Sequence, residues 1–371
     1  MELAQKSIPR YLGLRVGDWV EVRSEAEILS TLDENGRLDK LPFMPQMLEL
    51  CGRRFQVRKR AHKLCDTANS TGGRTMSNAV FLEELRCDGQ AYGGCEMRCL
   101  IVWKEAWLKR VDESAREGGR PVATAGTSNT PSMRCTRDTV LAGTRASTGY
   151  DTATEPVYVC QATEMPRATE LLSQWTPGQY FEDYRSGNAS LGSILSALLF
   201  LVYDTIVRSG LGFGSAMRWA YDRFQAVRGG WPYPGRVGCL PKGARTPSAA
   251  LGVQVGDLVR VKSQTEILKT VDEDFRNRGM GFHPTMVPYC GREFRVMQRA
   301  GRIINERTGK LMVLKNECLV LEGADCVGRY TNPLFCPRSC YPYWREIWLE
   351  KGEPANGELK GKPVPSREGK S

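Results

Sequence analysis

Residues 16–61 align without a gap on residues 255–300, at a constant offset of 239, with 23 of 46 positions identical. Identity at that level and length means duplication, and two copies at so long a period mean a repeated domain rather than a solenoid. Val16-Gly17-Asp18-Trp19-Val20-Glu21-Val22 returns as Val255-Gly256-Asp257-Leu258-Val259-Arg260-Val261, and Cys51-Gly52-Arg53 returns as Cys290-Gly291-Arg292. Farther on, Trp103-Lys104-Glu105-Ala106-Trp107 returns as Trp344-Arg345-Glu346-Ile347-Trp348. Whatever the module folds into, the chain folds it twice.

Within each copy, V-G-D-x-V-x-V alternates apolar and polar residues after a turn, which predicts a half-buried strand over residues 18–23 and again over 257–262. Ser24 with Glu27 three residues on fits a capping box at a helix start. Residues 55–60 and 294–299 read as further strands, and residues 69–73 and 306–310 as hairpin turns. Short strands opened by a Gly-Asp turn resemble an SH3-like or KOW-type small β-barrel, and the resemblance implies a fold without a function.

The expected fold class is therefore α+β: two homologous small barrels flanking a helical connector domain. Residues 1–112 form the first cysteine-rich module, 113–165 a loop or linker, and 166–228 the helical connector. Residues 229–250 form a Pro/Gly-rich linker, 251–351 the second module, and 352–371 a polar tail expected to be disordered. The stretch 191–207 is apolar nearly all round but interrupted by Ser193, Ser196 and Asp204, which predicts a buried helix rather than a membrane span. Without a signal-like start or a long unbroken apolar run, a soluble cytoplasmic protein is expected.

Thirteen cysteines in a reducing compartment point to metal ligation rather than a disulfide framework. They divide symmetrically between the copies. Cys87 matches Cys326, and Cys95-x3-Cys99 matches Cys336-x3-Cys340, while Cys65 and Cys318 fall on strands expected to pair across a hairpin. If the first hairpin places Cys65 near Ser77 and Ala79, the position matching Cys318, a ligand moved between neighbouring strands still reaches the same metal. Two four-thiolate sites follow: Cys65, Cys87, Cys95, Cys99 and Cys318, Cys326, Cys336, Cys340. Each suits structural zinc, and an iron–sulfur cluster is the alternative occupant. Cys51 and Cys290 read as small core residues. Cys160 lies between a strand-like Val157-Tyr158-Val159 and a helix start, where a helix dipole lowers a thiol pKa, and it is the candidate nucleophile if the protein is an enzyme.

A net charge of +10 permits an anionic partner. Arg58, Lys59 and Arg60, with Arg295 and Arg299 in the second copy, lie on strands near Trp103 and Trp344, so nucleic acid held by phosphate attraction and stacking is one expectation. A protein partner is the other. No phosphate-binding loop, nucleophile elbow or zinc-protease motif occurs. The favoured reading is a non-catalytic, metal-stabilised tandem binding or scaffold protein with a bivalent basic surface. The alternative is a cysteine-ligated metal enzyme, or a Cys160-dependent one, with its site at the boundary of barrel and helical domain.

Overall fold

The computed structural model describes residues 8–111, 134–146, 155–210 and 212–352. The chain is mixed α+β and divides into two compact units. The first comprises residues 1–188, 302–313 and 336–338, and the second comprises 189–301, 314–335 and 339–371. Much of the expected linker 113–165 and the tail from 353 lie outside the described residues. The expected connector is not a unit of its own: residues 166–188 belong with the first unit, and those from 189 with the second.

In the first unit, five antiparallel strands curl into half a barrel in the order Leu100–Lys104, Ala79–Arg86, Arg54–Arg60, Trp19–Val22, Leu108–Arg110. The strand expected over 18–23 is observed at Trp19–Val22, with Val20 and Val22 fully buried and Trp19 exposed. Period-two alternation therefore sets which face enters the core. The helix Glu25–Thr31 starts at the expected box, where Ser24 and Glu27 bond reciprocally. It packs over Trp107, whose Nε1 donates to Thr31 Oγ1 at 3.1 Å while Phe43 meets its ring edge-on at 5.1 Å between centroids.

The second unit repeats these devices. Its sheet runs Leu311–Leu321, Glu293–Ile304, Leu258–Val261, Leu349–Lys351, with residues 302–304 and 311–313 of the first two strands counted in the first unit. Ser263 and Glu266 form the matching box. Trp348 Nε1 donates to Thr270 Oγ1 at 3.0 Å, and Phe282 meets the Trp348 ring. A charged clamp is duplicated as well. Arg60 pairs with Glu105, whose other oxygen accepts from the Leu12 and Gly13 amides; Arg299 pairs with Glu346, which accepts from Leu251 and Gly252.

The box has a pH consequence. Burial pushes Glu27 up, but hydrogen bonds from Ser24 and the charge of Lys109 outweigh it and bring its pKa down to about 2. A carboxylate depressed on folding contributes stability above its unfolded pKa and loses it as pH falls through the folded one. Melting curves of the wild type should therefore lose this contribution between about pH 4.5 and pH 2. Ser24→Ala should cost about 1 kcal/mol at neutral pH and flatten that acid-side slope.

Three expectations meet a different outcome. Trp103 and Trp344 are fully buried, because each closes the core beneath its sheet, so neither offers a face to a base. The hairpin after Lys63–Cys65 turns earlier than expected: Asp66 caps it, and Cys65 pairs with Gly73 rather than lying near Ser77. The apolar helix Leu191–Arg208 is not a core helix, since only 17% of it is buried. Leu191, Leu195, Leu199, Val202 and Ile206 stand exposed along one face, while Phe200 on another face packs on Tyr221, Tyr233 and Tyr330. Among the described residues this is the one helix that length and composition allow to cross a membrane.

Candidate functional site

Four cysteines of the first unit line one cavity: Cys87, Cys95, Cys99 and Cys160. The cavity is partly open, and the space within it that a water molecule can reach is about 30 Å3, room for one or two waters. The strand Ala79–Arg86 delivers Cys87, whose amide donates to the Cys99 carbonyl at 2.8 Å and closes a loop carrying Cys95. The loop is tight enough to require glycine at one point. Gly89 has φ +75°, and a Cβ there would sit 1.9 Å from the Cys95 carbonyl oxygen. Cys160 comes from the opposite wall, at the N-cap of the helix Gln161–Ala168. Gln161 holds that helix start to the sheet by bonding both backbone groups of Val102.

Backbone amides near three of the sulfurs favour the thiolate: Gly89 at Cys87, Met97 at Cys95, and Thr163 and Ala162 at Cys160. Ile304 N–H adds a second donor to Cys95 at 3.4 Å, and the Gln46 amide donates to Cys87 at 3.2 Å. Burial nonetheless dominates, pushing Cys87 up to about 12 and Cys160 up to about 11 and raising Cys95. A low-pKa nucleophile at Cys160 is therefore not what this environment makes. As they stand, no three or more His, Cys, Asp or Glu side chains among the described residues are arranged to hold a metal ion.

A second sulfur group lies in the same unit. The Cys65 amide donates to Cys336 Sγ at 3.1 Å. Burial pushes the Cys336 thiol up, yet hydrogen bonds from Cys65 and the Arg338 amide, with the Arg338 charge, outweigh it and hold its pKa at about 7. Arg338 is itself fixed by the Cys65 carbonyl, Thr67 Oγ1 and Glu306. Beside it Lys63, wholly buried, pairs with equally buried Asp183 and lies 4.8 Å from the Tyr180 ring centre. His62 Nε2 faces the same Asp183 at 3.3 Å and the Gln179 carbonyl at 3.2 Å.

The first expected quartet is thus brought together in part. Cys87, Cys95 and Cys99 share the cavity, Cys65 lies with Cys336, and Cys160 takes the remaining wall. The second quartet is divided between the units, because Cys336 belongs to the first and Cys318, Cys326 and Cys340 to the second. In the second unit the Cys326 amide donates to the Cys340 carbonyl, as in the first copy, while buried Cys318 accepts from Arg345 at 3.5 Å. Cys51 and Cys290 are partly buried thiols pushed up to about 11 and about 12 by burial, as packed residues should be.

The basic strand residues are largely committed internally. Arg60 pairs with Glu105 and Glu182, and Lys59 Nζ bonds the Asn188 carbonyl. Arg299 pairs with Glu317 and Glu346, and exposed Arg295 bonds the Gly256 carbonyl. Asp183, Arg338 and Lys63 went unnoticed as site residues. No protein-family model matches the chain, and no curated protein is detectably similar to it.

Proposed function

We propose that the chain is a non-catalytic tandem binding or scaffold protein whose first unit is stabilised by one soft metal ion, zinc by the chemistry of its donors. The observation that carries this reading is one cavity whose lining includes Cys87, Cys95, Cys99 and Cys160. Four thiolates are the donor set that structural zinc takes, and coordination would remove the protons that burial otherwise retains. Amides aimed at three of the sulfurs support the charged form. The four side chains are not arranged to hold an ion as they stand, so binding would have to draw them together.

In this reading each module is an SH3-like small barrel, supported by its curled antiparallel sheet and by the Gly-Asp turn before the first strand. Nucleic acid is not taken up as the partner, since Arg60 and Arg299 are spent on carboxylates and both tryptophans are buried.

Elemental analysis of the purified chain tests the metal. About one zinc per chain is expected from this site. Cys160→Ser and Cys95→Ser should lose it, whereas Cys65→Ser should keep it. A metal-free wild type, or a metal that survives Cys160→Ser, overturns the assignment.

A further inference from the structure

We propose that Cys65 and Cys336 are a reversible thiol–disulfide couple, a modification site at which hydroperoxide joins two segments that the fold brings together. The two residues are 271 positions apart, yet the Cys65 amide lies 3.1 Å from Cys336 Sγ, and the two side chains hydrogen-bond to each other. Such contact between thiols so distant in sequence requires the chain on both sides to be held. On one side Cys65 ends a strand paired with Gly73–Thr75. On the other, Arg338 reaches back to the Cys65 carbonyl and to Thr67, and Glu306 receives the same guanidinium. The two segments are thus held in contact before oxidation, whereas separation of the chains is the usual obstacle to joining two cysteines.

The surroundings divide the roles. Cys336 is 6% exposed, and the Arg338 amide and charge favour its anionic form; Cys65 is the partly exposed member. The Cys336 thiolate attacks one oxygen of hydrogen peroxide, the O–O bond breaks, and a sulfenic acid forms as hydroxide leaves and takes up a proton as water. The Cys65 sulfur then attacks the sulfenic sulfur. The S–O bond breaks, and the departing hydroxide leaves as water with the Cys65 proton. Each sulfur has lost one electron and the peroxide has gained two. A dithiol reductant reverses the bond by exchange. None of the four cavity cysteines takes part, so this couple stands or falls separately from the metal reading.

The test is peptide mapping of the full-length wild type after hydrogen peroxide, with remaining thiols blocked by an alkylating agent and digestion done without reductant. The expected product is one linked pair of peptides containing Cys65 and Cys336, lighter than their sum by two hydrogens and separated by dithiothreitol. In Cys65→Ser the expected product is a Cys336 sulfenic acid trapped by dimedone. Full alkylation of both residues after other cysteines have oxidised would overturn the proposal, as would linkage of either one to a different cysteine. Protection of both by added zinc would also overturn it, by making them ligands instead.

Discussion

Glu105→Ala should destabilise the first unit by about 3–5 kcal/mol, whereas Glu346→Ala should cost the second about 1–2 kcal/mol. The two glutamates occupy the same place in the duplicated module and make the same bonds: one arginine, and two amides of the segment that leads into the first strand. Burial separates them. The Glu105 side chain is wholly enclosed and Arg60 is 8% exposed, but Glu346 and Arg299 are 13% and 30% exposed. Removing the carboxylate strands a buried guanidinium in the first copy, and in the second leaves one that water and Glu317 can still serve. Because Glu182 also touches Arg60, the first loss should fall toward the lower end of its range. Amide hydrogen exchange at Val20–Val22 and at Val259–Val261 would read each unit separately. Equal losses in the two copies would mean that burial does not set the value of this clamp.

The duplicated framework was readable because local chemistry decides it. Ser24-x-x-Glu27 and Ser263-x-x-Glu266 cap helices through contacts only three residues apart, and V-x-V alternation after Gly17-Asp18 leaves one choice of buried face. The cysteine assignment was readable to the extent that the same locality applies. Cys87, Cys95 and Cys99 sit on one loop, and they share a wall. The fourth position was not local. Cys65 is set by the register of three-residue strands, which the turn beginning at Asp66 shifts away from the expected pairing. Cys160 reaches the cavity because Gln161 docks its helix on Val102, 59 residues away in sequence, and nothing in the spacing announces that contact. The helix Leu191–Arg208 failed differently. Apolar residues on all sides carry no information about which side is covered, and here Tyr221, Tyr233 and Tyr330 pack on Phe200 at one face and leave a row of aliphatic side chains outside.

The Lys63–Asp183 pair should behave as a unit of structure and not as two independent charges. Both side chains are wholly buried and in direct contact. Burial lowers the Lys63 pKa more than the attraction of Asp183 restores it, so the cation is already held at a cost. Lys63→Met should therefore destabilise the first unit by about 3–5 kcal/mol, because it leaves a buried carboxylate facing His62 without its ammonium partner. Asp183→Leu should cost a similar amount, because it removes the carboxylate that the buried ammonium faces in direct contact. The double variant should recover most of the loss, since a well-packed apolar pair avoids desolvating two ions. The coupling energy from the double-mutant cycle should then be about 3 kcal/mol or more. Chemical denaturation of the four proteins measures it. A double variant as unstable as its worse parent would mean that each charge has an independent duty, and would turn attention to what Lys63 does for the Cys65–Cys336 couple.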